Sequence, residues 1–144
     1  VTADVLPDPA TAFGKRARRR LRDEQVIWFT TVAADGTPQP NPVWFWWDGE
    51  TEILVFNRPD ARRLANIRER PQVSLHLDGN GRGGDVVVVR GTASVEDDPV
   101  PAYRVEGYAK KYRQGMVRVS GSPEAFSEDY RVVTRIRVTR IRGF

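Results

Sequence analysis

Arg58, Arg62 and Arg63 crowd one short stretch, Val55-Phe56-Asn57-Arg58-Pro59-Asp60-Ala61-Arg62-Arg63-Leu64-Ala65-Asn66-Ile67. The residues before Asn57 read as a strand, and Pro59 suits the first turn of a helix. The arginines therefore stand at a helix mouth, where backbone N–H groups and the helix dipole favour an anion. Guanidinium groups add charge-assisted hydrogen bonds worth about 1.5–3 kcal/mol each. Because Arg62 and Arg63 are adjacent, only one is expected to face a given ligand. The competing reading is a solvated helix face.

A second unusual stretch precedes it: Thr37-Pro38-Gln39-Pro40-Asn41-Pro42-Val43-Trp44-Phe45-Trp46-Trp47-Asp48-Gly49. In an extended chain, Trp44 and Trp46 point to one face while Phe45 and Trp47 point to the other. One face supplies core. The other needs a cover, expected to be a partner subunit or a flat ligand.

Other motifs fail their context. Gly79-Asn80-Gly81-Arg82-Gly83-Gly84 has the glycine spacing of a dinucleotide fingerprint, but Asp85-Val86-Val87-Val88-Val89 follows as a strand where a helix is required. It reads as a hairpin connection. His76 is the single histidine and there is no cysteine, so zinc and histidine-triad chemistry lack parts. No metal site is expected. The carboxylates of Asp97-Asp98 and Glu50-Thr51-Glu52 lie in turns, and nothing suggests a paired-carboxylate hydrolase.

The elements that must position these residues follow from periodicity. At 144 residues, with 40% hydrophobic and 29% charged residues, the chain suits one globular domain, 1–144. Residues 1–9 read as a loose lead-in. Residues 10–24 read as an amphipathic helix with Phe13, Ala17 and Leu21 inward and Arg16, Arg18, Arg19, Arg20 and Arg22 largely wet. Strands are expected over 25–34, 39–47, 52–57, 73–77, 85–95 and 130–142. Helices are expected over 60–70, from Asp97 to about Gln114, and after a Ser122-Pro123-Glu124 cap. Pro40 and Pro42 demote the second strand to an edge. The fold class is mainly β (α+β): a six-stranded barrel with short flanking helices.

The net charge of +4 makes an anionic partner plausible. The basic residues are scattered and form no recognisable nucleic-acid motif, so no nucleic-acid partner is expected. No apolar run approaches the roughly 20 residues of a membrane span. A cytoplasmic protein is the expectation.

The order of segments resembles the pyridoxamine 5′-phosphate oxidase family of flavin- and deazaflavin-binding split β-barrels. The resemblance runs through Asp35-Gly36-Thr37-Pro38, Pro42-Val43-Trp44, Trp47-Asp48-Gly49, Arg63-Leu64-Ala65-Asn66-Ile67 and Arg68-Glu69-Arg70-Pro71-Gln72-Val73-Ser74-Leu75. It continues more weakly over Val86 to Val95 and Tyr108-Ala109-Lys110-Lys111-Tyr112. Arg58-Pro59-Asp60, the Gly79–Gly84 loop and the bias to arginine, with lysine only at 15, 110 and 111, are similar to the actinobacterial branch that uses coenzyme F-420.

The resemblance implies a homodimer with a deazaflavin cofactor, coenzyme F-420, in an interface groove, and FMN as the alternative. It implies cofactor binding by Asn41, Pro42, Val43, Trp44, Asn57, Arg58, Arg62 and Arg63, with Lys111 on a basic surface that would meet the polyglutamate tail. Where the family often has lysine, this chain has Arg63, which keeps the charge and changes the geometry. The implied activity is hydride transfer to a small organic acceptor, the protein supplying position and electrostatics. The alternatives are an FMN-dependent pyridoxamine 5′-phosphate oxidase-like enzyme and a non-enzymatic cofactor-binding protein. No dedicated acid is evident. Tyr103, Tyr108, Tyr112, Lys111 or water is left to protonate the product.

Overall fold

The computed structural model describes residues 5–144. Among them are seven strands: β1 (Ile27–Val32), β2 (Pro38–Val43), β3 (Trp46–Trp47), β4 (Glu52–Asn57), β5 (Gln72–His76), β6 (Val87–Glu96) and β7 (Val132–Gly143). Four α-helices accompany them: α1 (Ala12–Asp23), α2 (Arg63–Glu69), α3 (Glu106–Ser120) and α4 (Pro123–Asp129). All strand pairs are antiparallel, in the order β2-β1-β5-β6-β7-β4-β3. No described helix is long and apolar enough to cross a membrane.

The seventh strand arises where one was expected over 39–47. β2 pairs only with β1 and β3 only with β4, so the two lie on opposite edges of the sheet. Only Trp44 and Phe45 separate them, and three Cα steps span at most about 11 Å. The two edges must therefore approach each other. The sheet curls into a barrel that is split at this crossover. Pro38, Pro40 and Pro42 fit there, because an edge strand asks for fewer N–H donors.

The barrel interior holds Ile27, Phe29, Phe45, Trp47, Ile53, Val55, Leu75, Val89 and Ile136. A second cluster lies between the outer face of β4–β7 and helices α3 and α4: Leu54, Phe56, Tyr108, Tyr112, Met116, Phe126 and Val133, with Trp44 and Trp46 packed against it. The alternation read from the sequence is borne out, with Phe45 and Trp47 inside and Trp44 and Trp46 outside. Part of the cover comes from within the chain, and both outer tryptophans stay half-buried. It is α3 and α4 of the same chain that lie over the outer tryptophans.

Two expectations for the N-terminal region change. Arg20, placed among the wet residues of the first helix, is buried. Its guanidinium donates to the Asp85 carbonyl at 2.7 Å and to the Asp78 carbonyl, and it pairs with Glu24. This anchors α1 on the β5–β6 connection, which forms the hairpin read from the glycine-rich segment. Of the lead-in, residues 1–4 lie outside the described residues. Leu6 enters the core and Arg18 donates to the Pro7 carbonyl at 2.9 Å.

Ser122 caps α4 as read from the sequence, accepting from the Ala125 N–H at 3.0 Å. α3 starts later than its sequence signal, after a 3-10 turn at Ala102–Arg104. Gly115 on α3 has a packing reason: a Cβ there would stand 2.7 Å from Cη2 of Trp44. Gly115→Ala is expected to cost about 1–3 kcal/mol by overpacking and to shift the Trp44 fluorescence. A wild-type melting temperature together with an unchanged emission spectrum would contradict this seat.

Candidate functional site

The β2–β3 crossover, the end of β4 and the start of α2 converge on one groove with two compartments. The apolar one, about 360 Å³, is bordered by Pro42, Val43, Trp44, Phe56, Tyr108, Phe126 and Tyr130. The more polar one, about 500 Å³, is bordered by Thr31, Pro38, Gln39, Pro40, Asn41, Ala61 and Arg62. Arg63 borders both. Both volumes fall in the range of small-molecule sites.

Trp44 forms a flat wall of the apolar compartment. Its ring stacks on Tyr112 at 4.8 Å and 4° and on Phe126 at 5.6 Å and 17°. Such offset aromatic pairs hold ring orientation beyond simple burial. Tyr112 is itself anchored, since its hydroxyl accepts from the Phe45 N–H at 2.9 Å and lies 2.7 Å from the Gln25 carbonyl. The crossover that splits the barrel thus also fixes the wall.

Arg63 is held from behind. Its Nε donates to Asn57 Oδ1 at 2.7 Å. Asn57 is fully buried, its amide donating towards the carbonyls of Val55 and Val132 and towards Thr134 Oγ1. Burial lowers the pKa of Arg63 from its ordinary value. Among the described residues no carboxylate pairs with Arg58, Arg62 or Arg63. A half-buried guanidinium without a counter-ion, aimed by a neutral amide, is suited to an incoming anion.

The structure brings together Asn41, Pro42, Val43, Trp44, Arg62 and Arg63 on this groove. Arg62 and Arg63 both border the polar compartment, although one alone was expected to. The compartment wraps around the helix start, so consecutive residues can reach it. The helix mouth contributes less than the sequence suggested. α2 has seven residues, and the N–H groups of Ala61 and Leu64 are bonded to the carbonyls of Arg58 and Ala61.

Three of the expected residues stand elsewhere. Asn57 acts through Arg63 rather than bordering the groove. Arg58 lies over the Tyr130 ring at 5.5 Å, at the outer rim. Lys111 borders neither compartment. Its Nζ sits 3.9 Å from the Phe45 ring centre and donates to the Phe45 carbonyl at 3.0 Å, because that carbonyl is left free by the strand break. The groove is also bordered by Phe56, Phe126 and Tyr130, which the sequence reading did not single out, and by Tyr108, which it named only as a proton source. They come from β4, α3 and the end of α4, where apolar and aromatic residues read as ordinary core.

Lys111 has a measurable signature. Burial lowers its pKa from 10.5 to about 8, against the opposing pull of Asp23 and Glu24. Between those values the unfolded chain binds this proton and the folded chain does not, so stability rises with pH across the window. Tyr108 and Tyr112 act in the opposite sense. Burial raises both above 10.0, so their contribution is full below that pH and is lost above it. The melting temperature is expected to rise from pH 8 towards pH 10 and then to fall. A rise of the same size in Lys111→Met would remove Lys111 as its source.

Comparison with known proteins agrees with this architecture. Residues 13–144 match the family described as pyridoxamine 5′-phosphate oxidase. No curated protein matches the chain in sequence. Among solved structures, an F420 reductase is 25% identical with a TM-score of 0.66, over 87% of this chain and 94% of that one. General Stress Protein 26 from Bacillus anthracis str. Sterne is 20% identical with a TM-score of 0.66, over 88% and 89%. A FAD-binding protein from Mesorhizobium loti is 21% identical with a TM-score of 0.64, over 91% of each chain. The last two speak for the fold alone. The sheet is a split barrel and residues 13–144 match the family model, so the chain belongs to the pyridoxamine 5′-phosphate oxidase family.

Proposed function

We propose that this chain is an oxidoreductase that binds the deazaflavin coenzyme F-420 and acts on a small organic acceptor. The observation that carries the reading is the groove itself: an apolar compartment walled by Trp44 joins a polar one at the unpaired guanidinium of Arg63. A planar ring with a phosphate-bearing tail has that division of character. The likeness to an F420 reductase at 25% identity favours the deazaflavin. FMN has the same division of character, and the family description keeps it as the second reading.

When bound, the reduced deazaflavin supplies a hydride to an electron-poor acceptor. The chain's own residues do the rest. Pro42, Val43 and Trp44 offer the ring a dry, flat wall. Arg62 and Arg63 take the phosphate, with Asn57 holding Arg63 in place. Phe56, Tyr108 and Phe126 exclude water from the apolar end.

A homodimer forms part of the proposal. Val26 and Val119, at the cavity rim, are 41% and 50% exposed. A second copy would cover this rim. The place of action is proposed to be the cytoplasm.

Titration of the chain with F-420 and with FMN, read by quenching of tryptophan fluorescence, tests the reading. The expected result is saturable binding with F-420 the tighter. Tight FMN binding without affinity for F-420 would transfer the assignment to FMN, and binding of neither would end it. Sedimentation should give twice the 16.3 kDa chain mass. A monomer at micromolar concentration contradicts the dimer.

A further inference from the structure

Five side chains, Tyr103, Tyr108, Lys111, Tyr112 and Tyr130, are chemically able to present a proton near the groove, and the structure separates them. The Tyr112 hydroxyl lies 2.8 Å from the Phe45 carbonyl and 2.7 Å from the Gln25 carbonyl. The hydroxyl has one proton and two carbonyls within reach, so that proton is engaged by the protein itself. Neither Lys111 nor Tyr103 borders the apolar compartment. Tyr108 and Tyr130 do, and Tyr130 lies at the outer rim under Arg58.

Tyr108 is 1% exposed, and its ring is gripped from three sides. Phe56 meets it edge-on at 4.8 Å, Tyr112 lies at 4.8 Å and Phe126 at 6.4 Å. The hydroxyl has no hydrogen-bond partner among the described residues, although it is not sealed in protein. A buried phenol normally finds a partner, because an unmade bond in a low-dielectric site is costly. Tyr108 borders the apolar cavity, which offers room for such a partner.

We propose that Tyr108 donates a hydrogen bond to an oxygen atom of the molecule in the apolar compartment, so that this compartment selects planar ligands carrying a carbonyl or phenolate oxygen. The inference rests on the cofactor-groove reading and deepens it by naming the ligand's chemistry. Burial pushes the phenol pKa up, which keeps Tyr108 protonated and a donor throughout the neutral range. The oxygen belongs either to the cofactor ring or to the acceptor substrate. Both present the same chemistry to Tyr108.

The test compares the full chain with Tyr108→Phe, which keeps the gripped ring and removes only the hydroxyl. Four probes are titrated: F-420, FMN, the quinone menadione, and 2-methylnaphthalene as its oxygen-free counterpart. Loss of one hydrogen bond should weaken the oxygen-bearing probe by about 10-fold and leave 2-methylnaphthalene unchanged. A loss on the F-420 or FMN arm assigns the oxygen to the cofactor. A loss confined to menadione on the cofactor-loaded chain assigns it to the second molecule. Equal affinity of both proteins on every arm, or an equal loss with and without oxygen, overturns the proposal and leaves the cofactor reading intact.

If the unsubstituted chain binds neither F-420 nor FMN, the cofactor reading fails, and the menadione pair still decides the donor. Binding of no oxygen-bearing probe overturns both. Should Tyr108→Phe not fold, proton NMR of the unsubstituted chain serves instead. The Tyr108 hydroxyl proton should become slow to exchange on adding the bound probe, and its continued rapid exchange overturns the proposal.

Discussion

Arg63→Ala is expected to weaken F-420 or FMN binding by roughly 10- to 150-fold, the equivalent of losing about 1.5–3 kcal/mol of charge-assisted hydrogen bonding. Stability should hardly change. The substitution leaves Asn57 Oδ1 without its Arg63 donor, which is unfavourable, but it also removes a partly buried guanidinium that has no counter-ion, which is favourable. A large affinity loss with a small shift in melting temperature would mark Arg63 as the ligand's anion partner. Arg63→Lys should fall between, since an ammonium keeps the charge but cannot hold Asn57 and a ligand through one planar fork. Wild-type affinity in Arg63→Ala would discard the phosphate assignment.

Asn57→Ala should do the reverse, with stability as the main casualty. Asn57 is fully buried, and its amide bonds to β4, to β7 and to Arg63 at once. Removing it opens a small void and strips Thr134 and Arg63 of a partner. The expected cost is about 2–4 kcal/mol, or a melting temperature lower by roughly 5–15 °C for a domain of this size. Cofactor affinity should fall as well, because Arg63 loses what aims it. Asn57→Asp is expected to be no rescue. It would set a carboxylate against the Val55 and Val132 carbonyls and neutralise the guanidinium meant for the ligand. A melting temperature within 2 °C of wild type in Asn57→Ala would contradict this role.

Much of this molecule was legible in its residues, because alternation and capping are local properties. The opposite facing of Trp44 and Trp46 against Phe45 and Trp47 follows from strand geometry alone, and the structure keeps it. The Ser122 cap needed three residues, and the edge position of β2 needed its prolines. The arginines at the start of α2 were likewise legible as groups able to meet an anion, since guanidinium charge belongs to the residue type.

What the tertiary structure decided are the meetings across long stretches of chain. Whether the outer tryptophan face is covered by α3 and α4 depends on how far the sheet curls, which no single segment specifies. The break between Val43 and Trp46 comes from the closure that makes those two strands opposite edges. Closure also takes Lys111 to a carbonyl freed by that break, turns Asn57 inward as the support of Arg63, and sets Tyr108 on a cavity with no hydrogen-bond partner among the described residues. Residue type and spacing set which groups were able to do chemistry. The meeting of side chains as far apart in the chain as Asn57 and Thr134, 77 positions, set by a curled sheet, selected those that stand together.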